Sequence, residues 1–89
     1  MMEYKFLIAT TDIKGLPGLS KGDAVLPAAT EIIDNYEYDV WHVINGGGVA
    51  KTRHEHVNDL STFSVDGKDM SEIRAKIDAI SDAMKGNLT

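Results

Sequence analysis

The hydrophobic period of this chain changes once, between Val65 and Met70, and that change limits the folds open to it. Up to Val65 the apolar residues come in short runs with the two-residue period of β-strands. After Met70 they recur at steps of three and four, which predicts one apolar stripe along a helix. The members of this stripe are Met70, Ile73, Ile77, Ile80 and Met84. We therefore predict an α+β fold in which one amphipathic helix packs on a small antiparallel sheet.

Length sets the number of domains. At 89 residues, of which 43% are apolar, the chain suffices for one core and for a single domain over residues 1–89. We expect a β-rich part at residues 3–65 and a C-terminal helix at residues 69–86. Asp69 has the residue type and position of an N-cap, and Gly86 is expected to end the helix.

The β-rich part predicts about five strands in a partly closed sheet. The predicted strands are residues 3–10, 21–26, 38–44, 49–57 and 60–65. Pro27 either ends the second strand or lies at a sheet edge. Residues 28–36 fit a short helix after Pro27 or a strand that runs into a turn, and the strand is favoured because no capping residue precedes Pro27. Between the first two strands lies a glycine-rich loop whose Leu16 and Leu19 are expected to pack against the body.

The glycine run at residues 45–48 predicts a β-hairpin turn, because Asn-Gly tolerates positive φ. A phosphate-binding loop is disfavoured, since such a loop leads into a helix and this one leads into a strand pattern. With a three-residue loop, Trp41 lies across from Arg53, and the two form an exposed contact surface with Tyr36 or Tyr38 nearby. The alternative is a core tryptophan with the Arg53 side chain lying over it.

The three histidines are candidate metal ligands. His54 and His56 share a face if residues 49–57 are one strand, and His42 joins them only in the three-residue-loop register. This allows a His-dependent metal-binding hydrolase as one hypothesis. The simpler interpretation is three surface histidines on a hairpin, so no metal and no cofactor is expected.

Charge narrows the possible partners. Fourteen acids oppose nine bases, a net charge of −5, which disfavours direct binding to a nucleic-acid backbone. Five acids and no Lys or Arg lie in residues 23–46, either as a solvated face or as a nucleic-acid mimic that occupies a basic groove. The absence of cysteine and of any long apolar run predicts a soluble, cytoplasmic chain with no membrane partner.

One fold-level resemblance can be named. The Lys21-Gly22-Asp23-Ala24-Val25 turn and strand, followed by Trp41-His42-Val43-Ile44, a glycine turn and residues 49–57, resembles small SH3-like barrels. The resemblance covers residues 3–65 and leaves the C-terminal helix outside. It implies a binding module and assigns no role to any residue.

These observations favour a small non-enzymatic module that binds or regulates another protein. No serine lies in a strained nucleophile turn, and no pair of acids is placed for acid and base roles. The alternatives are the acidic inhibitor that blocks a nucleic-acid-binding protein and the hydrolase. The chain is expected to be a monomer or a weak homodimer through its C-terminal helix. The predicted partner-binding residues are Trp41, Lys51, Arg53, Tyr38 and His54.

Overall fold

The computed structural model describes residues 1–86 and contains a five-stranded antiparallel sheet with one C-terminal α-helix. The strands are β1 (Met2–Ala9), β2 (Ala24–Ile33), β3 (Tyr36–Val43), β4 (Val49–Arg53) and β5 (Leu60–Gly67). A 3₁₀ helix (His54–Asp59) connects β4 to β5, and α1 (Met70–Gly86) follows β5. The strand order is β4-β3-β2-β1-β5, and the sheet curls into a half-barrel. The predicted α+β fold is confirmed, and its strand arrangement is compatible with a small SH3-like fold.

The second strand is longer than the apolar run before Pro27 suggests. It continues through Pro27 to Ile33, so the strand interpretation of residues 28–36 is confirmed. A bulge between Pro27 and Ala29 accommodates the proline, which has no N–H to donate. Strand β1 pairs with β2 only at Ala24 and Val25, so from Pro27 onwards this side of β2 is an open edge among the described residues.

Two clusters of buried side chains fill the two sides of the sheet. The cluster under α1 consists of Phe6, Ile8, Ala24, Ile44, Val65, Ile73 and Ile77. The cluster inside the curl consists of Ala9, Ile13, Leu19, Val25, Trp41, Ala50 and Leu60. Both faces of β1 are therefore covered, which explains why its sequence is apolar on both faces.

The loop between β1 and β2 closes the curl by lying against the outer edge of β4. Leu16 N donates to the Lys51 carbonyl, and Lys51 N donates to the Pro17 carbonyl, each at 2.9 Å. A Cβ at Gly15 would lie 2.0 Å from that Lys51 carbonyl, so only glycine permits this approach. The expected packing of Leu19 is confirmed, whereas Leu16 is exposed, and Ile13 is buried instead.

Helix α1 begins as its sequence predicts. The Asp69 carboxylate accepts from the Glu72 backbone N–H at 2.9 Å, which caps the helix. Ile73 and Ile77 are fully buried against the sheet, whereas Met70 is exposed. Because the centre of the apolar stripe is buried against the sheet, only the edges of the stripe are left for a homodimer contact. Dimerisation through the helix stays a prediction. Gly86 is the last described residue, so the predicted helix stop after it lies outside the described residues.

A buried polar contact also fixes α1 on the sheet. Ser81, which is fully buried, donates to the Gly22 carbonyl and accepts from the Asn45 side-chain amide at 2.7 Å. The side-chain oxygen of Asn45, Oδ1, in turn accepts from Ala24 N. Since every polar atom named here has a partner, the small hydroxyl can be buried at little cost.

Candidate functional site

Trp41 belongs to the core of the protein. Its side chain is 4% exposed, and its indole Nε1 donates to the Thr52 hydroxyl at 2.9 Å. The predicted exposed surface that pairs Trp41 with Arg53 is therefore wrong. The core alternative holds for Trp41, although the Arg53 side chain does not lie over it.

The register of the β3–β4 hairpin explains this difference. Five residues, 44–48, connect the two strands, with Gly47 and Gly48 at positive φ, so the turn itself is confirmed. The connection is longer than the two or three residues expected. Trp41 consequently pairs with Ala50, and Tyr38 pairs with Arg53. Because successive side chains alternate between faces, this register puts Trp41 and Arg53 on opposite faces.

Three of the five predicted contact residues share the outer face of the β2–β3–β4 ribbon, opposite the Trp41 side. Tyr38 and Arg53 are cross-strand neighbours, and Lys51 lies two residues before Arg53 on the same face of β4. The Lys51 ammonium forms an ion pair with Glu31 at 2.6 Å. The expected basic surface is thus largely neutralised by neighbouring acids.

Arg53 is held between a ring and a carboxylate. Its guanidinium carbon lies 3.8 Å from the centroid of the Tyr36 ring. One guanidinium nitrogen donates to Glu55 at 3.2 Å. The cation–π partner of Arg53 is therefore Tyr36, the tyrosine at the start of β3.

His54 lies apart from the other contact residues. The strand predicted for residues 49–57 ends at Arg53, and a 3₁₀ helix begins at His54, so His54 and His56 do not share a strand face. The His54 Nδ1 lies 3.0 Å from Asp39 Oδ2. Among residues 1–86, no three side chains of the metal-ligating types lie close enough together to hold a metal ion.

The tip of the β2–β3 hairpin, residues 32–37, extends past the last pair that β4 makes with β3. Its turn residues Asp34 and Asn35 have φ values of 51° and 69°, the left-handed region in which Asp and Asn are tolerated. Ile32 is 69% exposed and Tyr36 is 50% exposed. The five predicted partner-binding residues include none from this tip. The Ile-Ile-Asp-Asn-Tyr pattern of residues 32–36 indicates such a tip, because this pattern combines a tight-turn signal with flanking apolar residues.

Two clefts adjoin this ribbon on opposite faces. One, of about 290 Å³, lies against the outer face and is lined by Lys14, Gly15, Leu16, Tyr38, Arg53, Glu55 and His56. The other, of about 410 Å³, is lined by Pro27, Ala28, Ala29, Thr30, Asp39, Val40 and Trp41. The ribbon therefore presents a shaped surface on each side of the projecting tip.

The acidic segment is mostly paired. Among its five acids, Asp23 contacts Lys85 at 2.8 Å, Glu31 contacts Lys51, and Asp39 contacts His54. Such pairs reduce the negative potential that a nucleic-acid mimic needs. Asp34 and Glu37, both at the hairpin tip, complete the five.

Comparison with known proteins found no match among family models, curated proteins or solved structures. In the part of the chain that the structure describes, no helix has both the length and the apolar composition needed to cross a membrane.

Proposed function

We propose that this chain is a small non-enzymatic module that binds another protein through the tip of its β2–β3 hairpin. The observation that carries the proposal is the exposure of Ile32 and Tyr36, two large apolar side chains on a projecting, two-stranded tip. Isolated exposed apolar residues are common on protein surfaces. Ile32 pairs with Glu37 and Tyr36 pairs with Ile33, so the two exposed side chains lie on opposite faces of the projecting turn, with Arg53 against Tyr36. An exposed apolar side chain on each face of a projecting turn supports a contact surface at the tip.

The Tyr36 side chain is held in place before any partner arrives. Arg53 lies over its ring, and Glu55 accepts a hydrogen bond from the guanidinium. A side chain whose position is already fixed loses less conformational entropy on binding. Tyrosine and arginine are also among the residue types most enriched at binding hot spots.

We also propose that the curled sheet is of the SH3-like type and that the chain acts in the cytoplasm. The Gly22-Asp23 turn that opens β2, and the following hairpin that carries Trp41, support the first point. The absence of cysteine agrees with a reducing compartment. SH3-like barrels mostly serve as binding modules, and this analogy supports the proposed function without identifying a partner.

The acidic-inhibitor hypothesis is less well supported than the hairpin tip. A nucleic-acid mimic needs unpaired acids, and of the five acids in its segment two form ion pairs with lysines and a third contacts His54. The hydrolase hypothesis is also less well supported, because no three ligating side chains in residues 1–86 lie close enough together to hold a metal ion. Contact through an apolar tip fits these observations better.

Capture from an extract of the native host tests the proposal. Immobilised protein should retain a discrete partner, and Ile32→Ser or Tyr36→Ala should each weaken that binding by about 2 kcal/mol, roughly thirtyfold in Kd. Val49→Ser is the matched control, because it removes an exposed apolar strand residue from the β3–β4 hairpin. Retention that depends on Val49 and not on Ile32 or Tyr36 would contradict the proposal.

A further inference from the structure

The cleft of about 410 Å³ that residues of β2 and β3 line combines apolar walls with one acidic group. Within residues 1–86, Asp39 is the only charged residue that lines it. The Asp39 side chain is 13% exposed, so its carboxylate lies largely beneath the surface. A carboxylate in such a position attracts a cation more strongly than one in open solvent, because water screens it less.

His54 leaves part of this carboxylate available. Its Nδ1 lies 3.0 and 3.2 Å from the two Asp39 oxygens, and His54 is not among the residues that line the cleft. Because a carboxylate only accepts hydrogen bonds, the Nδ1 hydrogen is the donor. An ionised carboxylate has about four lone-pair sites, so Asp39 can accept further donors from the cleft side.

The walls suit the aliphatic stem of a long cationic side chain. Pro27, Ala28, Ala29 and Val40 supply apolar contacts, and the largely buried Trp41 also lines the cleft. Lysine and arginine commonly pack their methylene stems along apolar surface while the charged head finds an acceptor. Thr30, which pairs with Asp39 across the two strands, also lines the cleft.

We propose that this cleft binds a lysine or arginine side chain of the partner protein. The inference rests on the proposed function and specifies what the partner offers. The rim of the cleft is the open edge of β2, where every second residue directs its backbone N–H and carbonyl away from β3. An extended partner segment can pair with such an edge and direct one side chain into the cleft. The charge of Asp39 then selects a basic residue at that position.

Trp41 provides a direct readout, because it is the only tryptophan in the chain and it lines the cleft. The probes are N-acetyl-arginine amide and N-acetyl-lysine amide, titrated to high millimolar concentration while tryptophan emission is recorded. N-acetyl-citrulline amide is the control, since it has nearly the shape of the arginine probe without its charge. We expect a saturable change in tryptophan emission with at least one charged probe and no change with the citrulline probe.

Two variants locate the binding site. Asp39→Asn should weaken binding of the charged probe roughly tenfold or more, because it removes the charge from the acceptor. Ala28→Leu should have a similar effect by filling the cleft, and it leaves the contact between Asp39 and His54 intact. Asp82→Asn on α1 removes the same charge from an exposed position and should leave probe binding unchanged. Circular dichroism of each variant shows whether the fold is retained.

The possible outcomes separate this inference from the proposed function. Equal responses to arginine and citrulline, no response to either charged probe, or equal binding by the wild type and by Ala28→Leu would each overturn the cationic cleft. The proposed function fails on a different result, namely partner capture that Ile32→Ser and Tyr36→Ala leave unchanged.

Discussion

Trp41 and Arg53 lie on neighbouring strands, but their side chains are on opposite faces of the sheet. This separation decides which of the two a partner can reach. The Trp41 indole is part of the cluster inside the curl, where Thr52 satisfies its N–H. Arg53 lies on the outer face against Tyr36. The contact surface therefore centres on the tyrosine of the hairpin tip, and the tryptophan supports the sheet that carries it.

Replacing these two aromatic residues should have contrasting effects on stability. Trp41→Ala should lower the free energy of unfolding by about 3–5 kcal/mol, because it opens a cavity in the core. Tyr36→Ala should lower it by less than about 1 kcal/mol, the scale of an exposed cation–π contact. Urea unfolding measures both. The wild-type tryptophan should emit at short wavelength and resist quenching by iodide, and a red-shifted, readily quenched emission would contradict the buried position.

At the scale of elements, helix α1 shows which parts of the fold can be predicted from sequence. Ile73 and Ile77 are buried as the stripe predicts, because their spacing matches the helical period. Met70 is exposed, since it lies at the first turn of the helix. Ser81 is buried although its type gives no such signal, because its contacts with Gly22 and Asn45 are distant in sequence.

Ile77 provides the test of the helix. Ile77→Ala should lower the free energy of unfolding by about 2–4 kcal/mol, a large share of the total for a domain of this size. Met70→Ala is the control and should change it by less than about 0.5 kcal/mol, as is usual for exposed positions. Melting temperatures at several protein concentrations complete the test. A loss that grows on dilution would indicate that the stripe forms a dimer seam instead.

Strands were predictable in the same way, but their register was not. The alternation of residues 38–44 and the Asn-Gly turn signal give a hairpin without giving the number of loop residues. A run of three glycines fits several loop lengths, and a shift by an odd number of residues moves every side chain to the other face. For this reason the sequence predicted Tyr38, Lys51 and Arg53 as neighbours and placed Trp41 with them wrongly.

At the scale of the whole molecule, the net charge of −5 coexists with two ion pairs beside the hairpin tip, Lys51 with Glu31 and Arg53 with Glu55. Among the acids of residues 23–39, Asp23 and Glu31 form ion pairs with Lys85 and Lys51. Long-range electrostatic attraction should therefore contribute little to the affinity, and the apolar tip should contribute most of it.

Salt dependence tests this division. Raising the ionic strength from about 50 to about 300 mM should change the partner Kd by less than about tenfold. The reason is that salt screens interactions between exposed charges and does not screen apolar contacts. The measurement is a titration of labelled protein with the captured partner at each salt concentration. A loss of several orders of magnitude would instead support the nucleic-acid mimic.

Site-specific photo-crosslinking tests the central claim, binding through the hairpin tip, most directly. A benzophenone amino acid is placed at Tyr36, and in a second protein at Ala75 on the exposed side of α1. After irradiation in an extract of the native host, the probe at position 36 should form one discrete adduct with another protein, and the probe at position 75 should form none. An adduct that forms from position 75 and not from position 36 would contradict the account.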